Sequence, residues 1–378
     1  MVNLLQVQIN IVLSFLLVIL LGHACFNMNR KNIINRLFVW IIGLTLITLI
    51  LEIFSVLLNS PNLKQFMVLH KLVNMIGFIM APIIPFLGFV FIKEWASRFQ
   101  TEKIKVSSIL LLPLFINGIG ALISYNGGEL FYITSENIYE RGPLFFILPC
   151  MSYIYFGYNL YFIYKHHKKF THSELVIFSL FYIVPAIFTI IQLMHSVYLT
   201  TWNSVAIVIV VIYVFILNDQ AYRDSMTGLE NRLSYEKYAQ NMDYKKLNNL
   251  FIIYIDIDEF KTINDQYGHL EGDEAIKAFS NLLRESFLPG KNKLIRLGGD
   301  EFLVLLEDQQ QEQVEVYIQN LTRLVEAYNN KGEKTYRLKF SYGVAGYTNT
   351  QNDIYKILEC ADQLMYEQKH NRHRIHIS

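Results

Sequence analysis

The stretch Leu294–Leu306, "LIRLGGDEFLVLL", predicts a β-hairpin in the C-terminal half, because two apolar runs of strand length flank two glycines and two acids. Gly298 and Gly299 predict a two-residue hairpin turn, in which both central residues need a positive φ. Asp300 and Glu301 follow directly. Adjacent carboxylates at the tip of an apolar hairpin have two explanations, a solvated turn or a site that binds a cation.

The chain of 378 residues divides by composition into a membrane half and a soluble half. Its hydrophobic fraction of 53% is too high for an ordinary soluble enzyme. No Asp, Glu, Lys or Arg occurs in residues 1–29, whereas charged residues and polar turns are frequent from Asn218 onward. The net charge of +1 gives no global field that would favour nucleic acid as a partner.

Seven apolar segments reach or approach the roughly 20 residues that a helical membrane span needs. They lie near residues 4–25, 37–59, 72–92, 106–124, 144–164, 175–195 and 199–217. We therefore expect an all-α transmembrane bundle of seven helices in a sensor domain over residues 1–217. A short helical connector at 218–223 and a cytosolic domain at 224–378 would follow.

The Lys and Arg residues of the short loops predict the orientation. Ten of them lie in the loops after spans one, three and five, against three in the opposite loops. Loops rich in Lys and Arg stay in the cytoplasm. The N-terminus is therefore expected outside and the C-terminal domain inside. Glu52 is the one acid within a predicted span, and it either has a function or reaches water at the outer end.

In the soluble half, the stretch "NLFIIYIDIDEF" at residues 249–260 is rich in β-branched and aromatic residues, which predicts a buried strand. Asp256 and Asp258 lie two apart at its end and therefore on the same side of the strand. Two helical stretches, the hairpin, a helix near 310–330, a strand near 336–345, a helix near 352–369 and a last short strand are expected next. This order predicts an α+β domain with helices over one antiparallel sheet.

Four carboxylates converge if the hairpin pairs with this strand, namely those of Asp256, Asp258, Asp300 and Glu301. Clustered like charges are unfavourable unless a cation lies among them. Oxygen ligands without a nearby His or Cys favour Mg²⁺ or Mn²⁺, usually shared with substrate phosphates. A pair of such ions can assist a phosphoryl transfer, and the glycines leave room for a nucleotide.

Four motifs together resemble the GGDEF domains, the diguanylate cyclases. They are "RLGGDEF" at 296–302, "DSMTGLENR" at 224–232, "DIDEFKTINDQYGHLEGDEAI" at 256–276 and "ADQLMYEQK" at 361–369. The resemblance covers about residues 224–378 and implies a ferredoxin-like, nucleotidyl-cyclase-like palm. It also implies a homodimer in which two domains, each with one GTP, form cyclic di-GMP and release two pyrophosphates.

The resemblance implies a role for each matched residue. Asp256 and Glu301 would be side-chain ligands of Mg²⁺ (or Mn²⁺), helped by the backbone carbonyl of Ile257. Asp300 would lie by the ribose 3′-hydroxyl as a base or orienting group, so that catalysis is assigned to Asp300, Glu301 and Lys261. Further substrate contacts would come from Asn264, Asp273, Phe260, Lys261, Gly298, Gly299, Lys369 and Arg372.

Guanine selectivity is expected from Asn264 and Asp273, because a carboxylate can accept hydrogen bonds from the N1 and N2 donors of guanine. Each of these residues also has an ordinary explanation. Asn264 could turn the chain, Asp273 could be a helix N-terminal charge, and Lys261 and Lys369 could be solvated surface lysines. Their joint occurrence at the family spacing favours the nucleotide site.

The sequence departs from the family pattern at two places. Pro289 and Asn292 occupy the positions of the Arg-x-x-Asp feedback site that the family often has, so product inhibition is expected to be weak. The ending "KHNRHRI" at 369–375 is irregular, and Arg372 or Arg374 would have to supply the phosphate-binding Arg.

We interpret the chain as a membrane-bound diguanylate cyclase of the bacterial inner (plasma) membrane. Its expected partners are GTP, membrane lipid, a second copy of the chain and an unknown sensed ligand. The alternative is a non-catalytic relay that binds GTP or a dinucleotide. A transporter with a regulatory tail fits poorly, because ionisable residues are scarce in the predicted spans.

Overall fold

The chain forms two units, unit 1 from Met1 to Phe215 and unit 2 from Ile216 to Ser378. The computed structural model describes residues 2–98, 107–194, 199–242, 249–287, 292–332, 334–346 and 353–375. Pro289, one of the two positions of the expected missing feedback site, lies outside the described residues.

Unit 1 consists mainly of long apolar helices. These are α1 (Val2–Asn27), α2 (Ile33–Leu58), α3 (Met67–Met80), α4 (Ile83–Ala96), α5 (Leu112–Gly127), α6 (Ile147–Lys165), α7 (His172–Met194) and α8 (Thr201–Tyr222), the last of which ends in unit 2. Large apolar side chains point outward from them, for example Phe15 at 69% exposure and Trp40 at 64%. An outer surface of this kind suits hydrocarbon better than water.

Six stretches of the described residues are long and apolar enough to cross a membrane. They are Val7–Asn27, Ile33–Leu58, Pro61–Ala96, Ser108–Gly127, His172–Met194 and Thr201–Tyr222. The N-terminal region is thus helical with several candidate spans, but the expected count of seven is not confirmed. The span expected at 144–164 corresponds to α6, which is not among the six.

The span expected at 72–92 is broken into α3 and α4 at Ala81 and Pro82. Proline has no N–H to donate within a helix, and its ring clashes with the preceding turn. The break was not predicted.

A short β-hairpin, β1 (Phe131–Ile133) paired antiparallel with β2 (Tyr139–Arg141), lies between α5 and α6. The expectation of an all-α bundle is wrong at this point. Asn137 at its tip has a φ of 58° and is fully buried. Its side-chain amide donates to the carbonyls of Leu58 (2.7 Å) and Leu63 (3.1 Å), so the hairpin is fastened to the connection between α2 and α3.

Unit 2 is an α+β domain around a five-stranded sheet. Its elements after α8 are β3 (Glu230–Asn231), α9 (Arg232–Gln240), β4 (Leu250–Ile257), α10 (Phe260–Tyr267), α11 (His269–Ser286), β5 (Lys293–Gly298), β6 (Glu301–Glu307), α12 (Gln311–Asn330), β7 (Phe340–Gly346) and α13 (Ile354–Ile375). The strand order is β3-β5-β6-β4-β7. All neighbours are antiparallel except β3 and β5, which are parallel, so the sheet is mixed and the expectation of an antiparallel sheet is corrected at that edge.

Both faces of this sheet are buried by helices. One core contains Ile255, Phe302 and Val304 together with residues of α11 and α12. The other contains Tyr254 and Leu303 together with residues of α9 and α13. Alternate residues of each strand enter opposite cores, which explains why the central strands are apolar runs rather than alternating patterns.

The C-terminal helix α13 extends to Ile375. A last short strand was expected there, and the chain is helical instead as far as it is described. Residues 376–378 lie outside the described residues.

We expect Phe302→Ala to lower the free energy of unfolding of unit 2 by about 3–5 kcal/mol, because the ring is fully buried and its removal leaves a cavity. Phe302 contacts Phe279 with 5.2 Å between the ring centroids. Urea denaturation of a fragment of residues 216–378 measures the change. The control is Val316→Ala, at a site 55% exposed, where a change within about 0.5 kcal/mol is expected. Equal losses in both variants would contradict the core described here.

Candidate active site

Two carboxylates face each other at one end of the central ladder of unit 2. Asp256, in β4, is directly opposite Glu301, the first residue of β6. Directly opposed residues of an antiparallel pair share a face, with their Cβ atoms about 4.5–5.5 Å apart. On its other side Asp256 is opposite Ser341 of β7. The expected pairing of the strand end with the hairpin is therefore present.

The turn between β5 and β6 is displaced by one residue from the predicted turn. Gly298 pairs with Glu301, so the two central residues are Gly299 and Asp300 rather than both glycines. Gly299 has a φ of 52°, which glycine adopts without steric cost. A Cβ atom built at either glycine would meet no atom within 4 Å, so the space above the turn is open to a ligand.

Asp300 is fastened to β4 through its backbone, since its carbonyl accepts a hydrogen bond from the N–H of Ile257 (3.2 Å). Burial of its side chain and, next, the charge of Asp256 raise the pKa of Asp300 above its ordinary value. Asp300 thus lies within electrostatic range of Asp256, and its carboxylate binds a proton or another cation more readily than a solvated one.

Lys369 of α13 supplies a positive charge to this cluster. Its Nζ lies 2.5 Å from Oδ1 of Asp256, which is only 8% exposed. Burial alone would lower the pKa of Lys369, but the carboxylates of Asp256, Asp258 and Asp300 raise it above its ordinary value. Asp258 in turn accepts a hydrogen bond from the hydroxyl of Ser341 (2.7 Å). Three of the four expected carboxylates therefore act on one ammonium group.

The position of α13 depends on Gly343 of β7. A Cβ atom at this residue would lie 2.0 Å from the carbonyl oxygen of Ala361 and 2.4 Å from the backbone nitrogen of Met365. The helix backbone thus lies directly on the strand backbone. Lys369 follows Met365 by about one helical turn, which brings its side chain down to Asp256.

The donor set suits a hard divalent cation. Among the described residues no group of three His, Cys, Asp or Glu side chains is arranged to hold a metal ion by itself. Asp256 and Glu301 nevertheless form an all-oxygen pair, and the backbone of Ile257 is adjacent. Mg²⁺ is commonly bound through one or two carboxylates, with phosphate and water oxygens completing its shell. The site fits an ion that arrives with a nucleotide better than a permanently bound one.

Asn264 lies where α10 meets α11, beside Gly272, the residue before Asp273. A Cβ atom at Gly272 would lie only 2.0 Å from Oδ1 of Asn264, so the two helices touch beside Asp273. Both polar side chains are half-buried. Within the described part of the chain, neither makes a side-chain hydrogen bond or ion pair. They are available to a polar ligand.

The segment that joins β4 to α10 has an unusual backbone. Glu259 has a φ of 56°, which is uncommon for a residue other than glycine. It directs the chain into α10, whose first N–H groups have no partner within the helix. Phe260 and Lys261 lie at this helix start, and the Lys261 side chain is exposed. The side chain of Arg372 lies outside the described residues.

Arg296, a buried arginine at this turn, was not predicted. Arg296 of β5 is 8% exposed and donates through Nε (3.0 Å) and Nη2 (2.8 Å) to the carbonyl of Gly299 in the turn. Its Nη1 lies 2.9 Å from Oδ1 of Asp224. Arg296 therefore links the turn to the first residue of the "DSMTGLENR" motif. An arginine within the apolar run "LIRL" was the available signal.

Asp362 was also missed. It lies on α13, seven residues before Lys369. Partial burial and, next, the charge of Asp256 raise the pKa of Asp362 above its ordinary value. It adds to the negative charge around Asp256.

Comparison with known proteins shows what this part of the chain is similar to. A family model described as "Diguanylate cyclase, GGDEF domain" matches residues 221–374. The chain is 34% identical over 160 residues to diguanylate cyclase DgcN of Escherichia coli, which is 40% of this chain and 38% of that protein. It is 31% identical over 156 residues to cyclic di-GMP phosphodiesterase NbdA of Pseudomonas aeruginosa, which is 40% of this chain and 20% of that protein.

One solved structure that the chain is similar to is the GGDEF domain of DgcB from Caulobacter crescentus in complex with c-di-GMP. The identity is 22%, the TM-score is 0.36, and the similarity covers 40% of this chain and 91% of that chain.

Residues 221–374 are a GGDEF domain, and its relatives include both diguanylate cyclases and cyclic di-GMP phosphodiesterases. The chain spans half or less of these curated relatives. The region that the family model matches lies within unit 2.

We expect Asp224→Asn to lower the free energy of unfolding of unit 2 by about 2 kcal/mol at neutral pH, because hydrogen bonds to charged groups contribute roughly 1.5–3 kcal/mol. Burial opposes ionisation, yet hydrogen bonds from Thr227 and Arg296 lower the pKa of Asp224 below its ordinary value of 3.8. The stabilisation is thus present above pH 3.8 and is lost as the pH falls through the lowered pKa.

Urea denaturation at neutral and at acidic pH measures this difference. The exposed Asp265→Asn is the control and is expected to change little at either pH. A loss for Asp224→Asn that stays constant as the pH falls would contradict the ion pair with Arg296.

Proposed function

We propose that the chain is an integral membrane diguanylate cyclase, which condenses two molecules of GTP into cyclic di-GMP and releases two pyrophosphates. The observation that carries the proposal is the pairing of Asp256 with Glu301 beside an open, glycine-containing turn. The match of residues 221–374 to the GGDEF family and the cyclase relatives support it.

In the proposed reaction the ribose 3′-oxygen of one GTP forms a bond to the α-phosphorus of the other. The bond from that phosphorus to the departing pyrophosphate breaks, and the same exchange at the second junction closes the ring. Asp300 accepts or orients the hydroxyl proton. The hydrogen bond from the N–H of Ile257 to the backbone carbonyl of Asp300 (3.2 Å) holds Asp300 beside the proposed ion site.

Asp256, Glu301 and the backbone carbonyl of Ile257 would hold Mg²⁺ or Mn²⁺, the ions that GGDEF diguanylate cyclases generally use. Such an ion neutralises phosphate charge and activates the attacking oxygen. Lys369 lies 2.5 Å from Asp256 and reduces the repulsion among the carboxylates, so the acidic cluster is tolerated before the nucleotide arrives.

The remaining substrate contacts follow from the two helices after β4. Asn264 and Asp273 would bind the guanine edge, since both are half-buried and neither has a side-chain partner within the described residues. Backbone N–H groups at the start of α10, near Phe260 and Lys261, would bind phosphate, because a helix N-terminus favours anions. Lys369 would reach the same phosphates, and Arg372 would be the additional phosphate ligand.

Catalysis would require a homodimer, because each GGDEF domain offers one site and the reaction joins two GTP molecules. Unit 1 would be embedded in the membrane with the N-terminus outside and unit 2 in the cytoplasm, as the distribution of Lys and Arg favours. A signal sensed by unit 1 would control the rate. A non-catalytic nucleotide-binding relay is the alternative, and it predicts GTP binding without product.

We expect Glu301→Ala to reduce cyclic di-GMP synthesis at least 100-fold, because it removes one of two carboxylates of the proposed ion site. Asp300→Ala is expected to reduce turnover by about 10²–10⁴-fold while retaining GTP binding, as loss of a general base does. Purified protein incubated with GTP and Mg²⁺, followed by nucleotide chromatography, measures both.

The matched control is Glu307→Ala at the far end of the same strand, where the carboxylate accepts a hydrogen bond from Tyr238 (2.8 Å). Its activity should stay near that of the unaltered protein. Undiminished synthesis by either site variant refutes the assignment, and GTP binding without any product in the unaltered protein selects the relay.

We expect Asp273→Ala to weaken GTP binding by about tenfold to 100-fold and to leave weak ATP binding unchanged, because the carboxylate would accept hydrogen bonds that adenine does not offer. Competition binding with the two nucleotides measures the ratio. Glu274→Ala, the adjacent exposed acid paired with Lys277 (2.9 Å), is the control. An equal loss for GTP and ATP would show that Asp273 does not read the base.

A further inference from the structure

Unit 1 contains a cavity of about 490 Å³ that the cyclase chemistry does not use. Residues of α2, α3, α4, α6, α7, α8 and β2 line it. Sites for small molecules generally measure about 300–1,000 Å³ and are mostly apolar with a few polar groups. The volume and the lining therefore match a small-molecule site.

The cavity lies toward the end of unit 1 where the hairpin β1–β2 is located. Its lining comes from the C-terminal parts of α2 and α7 and from the N-terminal parts of α6 and α8. Ala81, at the break between α3 and α4, lies in its wall, and so does Pro185, which is within α7. Irregular backbone within a membrane is tolerated where it is buried in protein or lines a cavity.

Glu52 gives the cavity wall a carboxylate. Its Oε2 accepts a hydrogen bond from the amide of Asn10 (2.7 Å), and the Oδ1 of Asn10 accepts one from Asn203 (3.0 Å). In the part of unit 1 that the structure describes, no Lys, Arg or His nitrogen lies within 4.0 Å of this carboxylate. A buried charge without a counterion is costly, so Glu52 is suited to a ligand that carries one.

Arg141 gives the same cavity a guanidinium. Its Nη1 and Nη2 donate to the carbonyls of Leu193 (3.2 Å) and Gln192 (3.3 Å), and its Cζ lies 4.6 Å from the ring centroid of Phe145. No carboxylate among the described residues lies within 4.0 Å of it. Neutral acceptors and an aromatic face thus hold Arg141 in place and leave its charge uncompensated.

The hydroxyl of Tyr182 is a third polar group at this wall. Tyr182 lines the cavity and is fully buried, and its hydroxyl has no hydrogen-bond partner among the described residues. Buried hydroxyls without a partner are rare, because each costs about 1–3 kcal/mol. The rest of the wall includes the rings of Phe78, Phe156 and Trp202, which suit an apolar body.

We propose that this cavity binds a small zwitterion with an apolar body, such as an amino acid or a short peptide with large apolar side chains. The ammonium group contacts Glu52, the anionic group contacts Arg141, and the apolar body lies against the aromatic rings. The two charges of such a ligand compensate the charges of Glu52 and Arg141. The inference goes beyond the proposed cyclase activity, since binding at unit 1 involves neither GTP nor unit 2.

Equilibrium dialysis of the full chain in phosphatidylglycerol nanodiscs tests the proposal. The probes are radiolabelled L-phenylalanine, whose charges are close together, and the dipeptide L-phenylalanyl-L-leucine, whose charges are further apart. Phenethylamine and 3-phenylpropionate carry only one of the two charges. We expect at least one zwitterion to bind tenfold or more tightly than both single-charge compounds. Equal affinities for all probes, or no binding of either zwitterion, overturn the proposal.

Two substitutions test separately the charged contacts at the two ends of the ligand. Glu52→Gln keeps an acceptor for Asn10 and should weaken zwitterion binding at least tenfold while leaving 3-phenylpropionate unchanged. Arg141→Gln should weaken zwitterion binding as much while leaving phenethylamine unchanged. Glu94→Gln, which removes a charge paired with Lys93 (2.8 Å) and does not line the cavity, is the control. Zwitterion binding that survives both cavity substitutions refutes the assignment even if one variant is less stable.

The same measurement separates two sources of the ligand. Phosphatidylethanolamine carries a zwitterionic headgroup, so nanodiscs that contain it should compete with the probes if the natural occupant is a lipid. Unchanged probe binding in those nanodiscs identifies a free solute. None of these binding experiments contains GTP. A lack of zwitterion binding would therefore not contradict the cyclase proposal, and a lack of cyclase activity would not contradict zwitterion binding.

Discussion

The register in which β4 pairs with β6 is the constraint on which the chemistry of unit 2 depends. Asp256 opposes Glu301 only because Ile255 opposes Phe302 and Tyr254 opposes Leu303 along the same ladder. A slip of one residue would exchange the two faces of a strand. The helices α11 and α12 on one side and α9 and α13 on the other pack against these apolar side chains, so hydrophobic packing holds the acids in register.

The parts of the site that lie on strong local patterns could be predicted. The apolar run before Asp256 and the two runs around the glycines identify strands, and acids at strand ends must meet if the strands pair. The position of the turn was wrong by one residue because the irregularity between Arg296 and Gly298 changes the pairing by one. A bulge of this kind leaves no periodic signal in the sequence.

The parts that depend on distant contacts could not be predicted from the residues alone. Lys369 and Asp256 are 113 positions apart, and nothing near either residue specifies the other. The two-residue strand β3 and the three-residue strands of the hairpin in unit 1 are too short to show a period. The pairing of Arg296 with Asp224 is different, since a charged residue within an apolar strand needs a partner. That signal was present in the sequence, although it does not name the partner.

The contact of α13 with Gly343, which has no side chain, determines how close Lys369 comes to Asp256. A lysine side chain has a limited reach, so its ammonium group contacts Asp256 only from a helix that lies close to the sheet. At Gly343 that distance is set by contact between two backbones, with no side chain that could rearrange to absorb a change. Backbone contact therefore fixes the separation between α13 and β7. The positive charge that Lys369 brings to the acidic cluster depends in this way on Gly343, a residue that carries no charge.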